Sequence, residues 1–265
     1  MVEPLLKKQP MQEKELPFLD NLKGFVSFLS FSGNGHSLIS SLIDAHKNAI
    51  VSREKLVLMR LYNEKLDRAG ALRNILRGSS SYTLRNRPHK GSGTSHLVPN
   101  QFNGRADPLH IIGDKHGNGT SSYLATKPNF LQDVTKKLGL PIKFIHIYRN
   151  PYNVIAHMTK FSKFSTRSSA NKVIYRYHVV DKAIKLSISS VLSIKFESLI
   201  NRPKLTLKQI IEFLDLPVYE CYLRNCASII KPILLSEHNE VSWEGVDMDK
   251  IKSLCHSIPY LNSYA

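Results

Sequence analysis

Two stretches of this 265-residue chain carry residue types whose order suits the binding of an anion. The first is Ser32-Gly33-Asn34-Gly35-His36-Ser37, followed by Leu38. Glycines two positions apart let the backbone turn sharply, so that N–H groups from Gly33, Asn34, Gly35, His36, Ser37 and Leu38 can face one phosphate at the start of a helix. The turn lacks the lysine of the Walker pattern, G-x-x-x-x-G-K-[ST], because His36 stands before the hydroxyl residue; ordinary ATP hydrolysis is therefore not expected. The second stretch is Arg149-Asn150-Pro151, with His157 eight positions after the arginine. A guanidinium offers a bidentate fork to a phosphate monoester, and a histidine about two helical turns further on could add a second donor.

The elements that must hold these groups are legible on either side. Phe25 to Phe31 reads as a short buried strand, and Leu38, Ile39, Leu42 and Ile43 fall at helical spacing within a helix from about Ser37 to His46. Leu109 to Gly113 and Ile142 to Tyr148 read as further strands. After the latter, Asn150 as N-cap and Pro151 as first helical residue predict a helix opening at position 151. Val191 to Phe196 is a fourth strand, followed by a helix from about Leu205 to Leu214, and Met248, Ile251, Leu254 and Ile258 mark a final helix. Strands alternating with helices predict an α/β fold: three layers, α/β/α, around a mainly parallel sheet. In such a sheet the glycine turn and Arg149 both lie at the carboxyl edge of the strands, where ligands bind. Residues 77 to 107 break the alternation. They contain four glycines, two prolines and five Lys or Arg residues, and read as an irregular basic insertion suited to an acceptor.

Composition bounds the rest. Residues 1–20 read as an N-terminal extension and 21–265 as one domain. The first twenty residues mix charges with three prolines, which predicts no signal peptide, and no apolar run approaches the roughly 20 residues of a membrane span. Three cysteines without a Cys-x-x-Cys pair and eleven scattered histidines predict no metal site and a reducing, cytoplasmic setting. A net charge of +16 predicts an anionic partner. Nucleic acid is disfavoured, because the basic stretch from Arg77 to Arg105 carries no nucleic-acid motif and no aromatic stacking platform.

Taken together, these stretches resemble the sulfotransferases that use 3′-phosphoadenosine 5′-phosphosulfate (PAPS), over nearly the whole chain. Phe28 to Ile39 resembles their 5′-phosphosulfate loop, and Ile145 to His157 the 3′-phosphate element, in which a hydroxyl residue follows the arginine by eight positions. Lys195 to Lys204, with Phe213-Leu-Asp-Leu-Pro217, is similar to the segment that comes next. The resemblance implies a P-loop-NTPase-like sulfotransferase fold. It also implies transfer of a sulfuryl group from PAPS to a hydroxyl or amine, with adenosine 3′,5′-bisphosphate (PAP) as product and no metal.

Departures from the pattern bear on the chemistry. Gly33 stands where the family usually has Arg or Lys, His36 replaces the usual Thr, and His157 replaces the usual Ser. Ile112-Gly-Asp-Lys-His116 resembles the Gly-Asp-Lys or Glu-Lys segment beside the acceptor. There Lys115 is expected to supply the missing cation, and His116 to take the acceptor's proton. The basic insertion suggests an anionic acceptor such as a glycan. The same departures also fit a nucleotide-binding protein that has kept the fold and lost turnover.

Overall fold

The computed structural model describes residues 21–88, 95–162, 164–187, 190–231 and 237–265. The N-terminal extension expected over 1–20 lies outside them. Five strands form one wholly parallel sheet: β1 (Gly24–Leu29), β2 (Ala49–Arg53), β3 (Ile111–Lys115), β4 (Ile142–Tyr148) and β5 (Val191–Lys195), in the order β2-β3-β1-β4-β5. β1 is central. Its Gly24, Phe25 and Val26 pair with Ile111, Ile112 and Gly113, and Phe25 to Leu29 pair in register with Ile142 to His146.

The period-2 alternation of β1 divides the interior into two cores. Phe25 and Leu29 face one side, with Ile112 and Phe144, and Val26 and Phe28 face the other, with Ile145, Ile147 and Ile194. The second core is closed by α1 (His36–Asp44), α8 (Phe196–Asn201), α9 (Pro203–Phe213) and α10 (Glu220–Ser228), whose Ile39, Leu42, Leu199, Leu207, Ile210 and Leu223 are buried there. The first is closed by α2 (Val57–Tyr62), α3 (Arg68–Leu84), α4 (Gly117–Thr126), α5 (Phe130–Leu138), α6 (Pro151–Phe161), α7 (Thr166–Leu186) and α11 (Met248–Ser257). The three-layer α/β/α architecture with a parallel sheet is thus present.

The helix expected at Pro151 starts there, with Asn150 Oδ1 accepting the Tyr152 N–H at 2.9 Å. Three of the differences from expectation bear on the site. Strand β2 was not anticipated; its five residues end in Ser52 and Arg53 and leave little alternation to read. Strand β3 lies two residues later than expected, at Ile111–Lys115. Asp114 and Lys115 look like loop residues, but both find partners that let them end a buried strand. Residues 77–84, expected to be irregular, are the last turns of α3, and the irregular segment begins at Arg85. Gly78 does not break that helix. A Cβ there would meet Lys55 Cε at 2.4 Å and Ser52 Cβ at 3.2 Å, so the bare backbone is what lets α3 lie against the end of β2.

Candidate functional site

The glycine turn leaves β1 through Phe31 and enters α1 with Gly33 and Gly35 at φ of 99° and 89°. Both angles lie in the left-handed region that glycine reaches without steric cost. At Gly35 the space is closed as well: a Cβ would stand 2.1 Å from Phe196 Cε2 and 2.2 Å from Cδ2. The ring at the start of α8 therefore lies on the turn.

Arg149 follows directly on β4, beside the turn. Its Nη1 reaches the Gly33 carbonyl at 3.4 Å, and its guanidinium carbon sits 5.3 Å from the centroid of the Phe196 ring. A Cβ on Gly33 would come within 3.5 Å of His157 Cδ2, so the histidine borders the same turn. Tyr177, buried in α7, ties these parts together: its hydroxyl donates to the Arg149 carbonyl at 2.5 Å and meets Asn34 Oδ1 at 3.2 Å. Burial pushes the Tyr177 phenol well above its ordinary pKa, so it remains a donor. The two stretches read from the sequence as anion sites are brought into contact.

Two polar atoms of the turn, Asn34 Nδ2 and His36 Nδ1, are buried without a hydrogen-bond partner among the described residues. The His36 imidazole is bonded to the Phe31 carbonyl. Burial, with the positive charges of Lys115 and Arg53, holds its pKa well below the ordinary value, so His36 is neutral. Ser37 and Leu38 continue the turn into α1: the Leu38 N–H closes on the Gly35 carbonyl at 3.0 Å, and the Ser37 carbonyl accepts the hydroxyls of Ser40 and Ser41.

The second half of the site grows from Asp114. Its carboxylate accepts the Ser52 hydroxyl at 2.7 Å and the backbone N–H groups of Lys55 and Val57 at 3.1 and 3.2 Å. Those bonds hold the turn after β2, in which Glu54 and Leu56 have φ of 55° and 57°. Left-handed backbone at non-glycine residues costs about 1–3 kcal/mol each and persists where surrounding bonds enforce it. The outcome is a carboxylate aimed at the end of β3: Glu54 Oε1 bonds the Lys115 ammonium, and Oε2 lies 3.2 Å from His116 Nε2.

Lys115 is 2% exposed and His116 24%, against 53% for Glu54. Burial lowers the Lys115 pKa, with Glu54 acting against it. His116 caps α4 by accepting the Gly119 N–H at Nδ1, which leaves its ring proton on Nε2, toward Glu54. The sequence reading missed Glu54 altogether. Only its place one residue beyond β2 could have revealed it, and β2 was not foreseen.

The irregular segment is anchored rather than draped. Arg87, 1% exposed, bonds Asp44 in α1, whose carboxylate also accepts the Ser79 hydroxyl and the Val51 N–H. Burial pushes Asp44 up to about 6 while Arg87 pulls it down. Arg77, Arg85 and Arg105 stay exposed, and Lys90 lies outside the described residues. At the ends of β4 and β5 there is a cavity of about 440 Å³, lined by Asn150, Asn153, Lys195, Glu197, Arg202 and Tyr264 among others. Among the described residues no group of His, Cys, Asp and Glu is placed to hold a metal ion, and no helix is long and apolar enough to cross a membrane.

The fold of this chain is similar to that of solved sulfotransferase domains. The sulfotransferase domain from the curacin biosynthetic pathway superposes with a TM-score of 0.52 at 17% identity, covering 92% of this chain and 99% of that one. The sulfotransferase domain of the Synechococcus PCC 7002 olefin synthase gives 0.53 at 17% identity, covering 89% and 94%. Residues 129–220 match the model of the sulfotransferase family. No curated protein matches the sequence.

Proposed function

We propose that this chain moves a sulfuryl group from PAPS to a hydroxyl or amine and releases PAP. The observation that carries the reading is the convergence of Arg149 on the Gly33 carbonyl at 3.4 Å, with His157 beside it. One compact anion site thus joins the turn expected to hold the 5′-phosphosulfate to the residues expected to hold the 3′-phosphate. The buried, unpartnered Asn34 Nδ2 and His36 Nδ1 suit a polar ligand against the turn. Backbone N–H groups from Gly33 to Leu38 and the positive end of α1 would orient the donor.

In this reading the acceptor oxygen attacks sulfur opposite the phosphate. The acceptor O–S bond forms as the bridging S–O bond breaks, and its electron pair leaves on the 5′-phosphate of PAP. The acceptor's proton goes to Glu54, not to His116 as the sequence suggested. The free lone pair of a neutral His116 is its Nδ1, already accepting the Gly119 N–H, whereas Glu54 is half exposed and held by two donors. Lys115 and His116 then position Glu54, and Asp114 positions the turn that carries it. The anionic glycan acceptor rests on Arg77, Arg85 and Arg105, since Arg87 is turned inward.

A nucleotide-binding protein without turnover is the competing reading, favoured by the missing cation at Gly33 and the engagement of Lys115 by Glu54. Calorimetric titration with PAP and a sulfate-transfer assay over a panel of hydroxyl and amine acceptors separate the two. PAP binding with transfer supports the enzyme, and binding without transfer supports the competitor. Arg149→Ala is expected to weaken PAP about tenfold or more, because a charge-assisted phosphate contact is lost. Unchanged affinity would remove Arg149 from the site.

A further inference from the structure

Transfer of a sulfuryl group builds negative charge on the bridging and peripheral oxygens, and positive charge must face it. The turn itself cannot provide it. Position 33 has φ of 99°, and any side chain would start 3.2 Å from Val154 Cγ1. His36 is neutral, Lys115 is engaged by Glu54, and Arg53 is turned to Tyr82, donating to its hydroxyl with the guanidinium carbon 4.4 Å from the ring centroid. Arg149 is placed for the other phosphate.

Among the described residues, a further cation stands beside the turn. Arg176 lies in α7 next to Tyr177, the residue whose hydroxyl touches both Asn34 and Arg149. Its guanidinium carbon is 5.8 Å from the centroid of Phe31, the residue from which the glycine turn springs. The side chain is partly buried, and among the described residues no carboxylate pairs with it. A partly desolvated guanidinium costs free energy unless an anion compensates. The buried Asn34 Nδ2, without a hydrogen-bond partner among the described residues, lies on the same turn.

We propose that Arg176 supplies the charge missing from position 33, by contacting the oxygens of the transferring sulfuryl group from the α7 side of the turn. This rests on the PAPS reading above and adds to it a residue outside both anion stretches. Arginine suits the role because its fork can span two oxygens and stays charged when partly buried.

PAP lacks the sulfuryl group and PAPS carries it, so the two nucleotides isolate the contact. Wild type, Arg176→Gln and Arg176→Lys would each be titrated calorimetrically with both nucleotides, after thermal melting confirms that the variants fold. The expected result is that Arg176→Gln weakens PAPS about tenfold or more while PAP changes by less than about threefold, with Arg176→Lys between. Equal loss for both nucleotides, or no loss, overturns the assignment and leaves the PAPS reading standing. If wild type binds neither nucleotide, the PAPS reading itself fails, and the role of Arg176 with it.

Discussion

Replacing Gly35 by alanine tests whether Phe196 is a working wall of the site. The new Cβ would stand 2.1 and 2.2 Å from two ring carbons, whereas carbons in contact rest roughly 3.5 Å apart, so the ring must shift by more than about 1 Å. Forcing a packed side chain aside costs about 1–3 kcal/mol. The left-handed backbone of Gly35 adds about 1–2 kcal/mol for any residue with a Cβ. Together these predict a loss of about 3 kcal/mol, and Gly33→Ala supplies the control. There φ is also left-handed, but the nearest atom, Val154 Cγ1, is at 3.2 Å and needs to yield only slightly. That variant is expected to lose only the backbone share, about 1–2 kcal/mol. Urea denaturation measures both losses, and PAP titration then reads the site. Because the Arg149 guanidinium lies over Phe196, displacing the ring is expected to weaken PAP beyond what Gly33→Ala does. Equal stability of the two variants, or wild-type PAP affinity in Gly35→Ala, would refute the reasoning.

Two further outcomes follow from the site and the sheet. Glu54→Gln keeps the shape of the side chain and one acceptor oxygen for Lys115 or His116, but cannot take a proton. It is expected to lower transfer by roughly 100-fold or more with PAP affinity unchanged, and transfer at the wild-type rate would dismiss Glu54 as base. His146, buried in β4, is lowered by burial to about 3. The unfolded chain gains a proton as pH falls through about 6.5. The folded chain gains it only near 3, so stability present above 6.5 is lost on acidification between those values. At pH 5 the loss from this group is about 2 kcal/mol. His146→Gln should flatten the acid limb of stability measured by denaturant titration from pH 7 to 5, and an unchanged slope would count against it.

What the sequence disclosed and what it hid follow one physical line. The turn from Phe31 into α1 and the Asn150-Pro151 start of α6 were readable because capping, glycine geometry and period are local. Arg149 was readable as a neighbour of the glycine turn because strand ends in a parallel sheet share an edge. Tyr177, Phe196 and Glu54 were not, since each works on a partner that only tertiary packing brings near. Tyr177 reaches the Arg149 carbonyl, Phe196 covers Gly35, and Glu54 meets Lys115. Asp114 and Lys115 misled the reading of β3 for the same reason: charged residues look like loop until the groups that satisfy them are in view.

The inward pair of Arg87 and Asp44 sets how this molecule can vary. Gly104 N–H donates to the Asp44 carbonyl, Phe102 N–H to the Ala45 carbonyl, and Asn103 braces Val98, so the described part of the irregular segment after α3 is tied to the end of α1. These ties end on α1 and on the residues beside it, not on β1, β4 or the turn between them. Changes of sequence on this flank therefore fall on α1 and its surroundings first, while the central strands stay as they are.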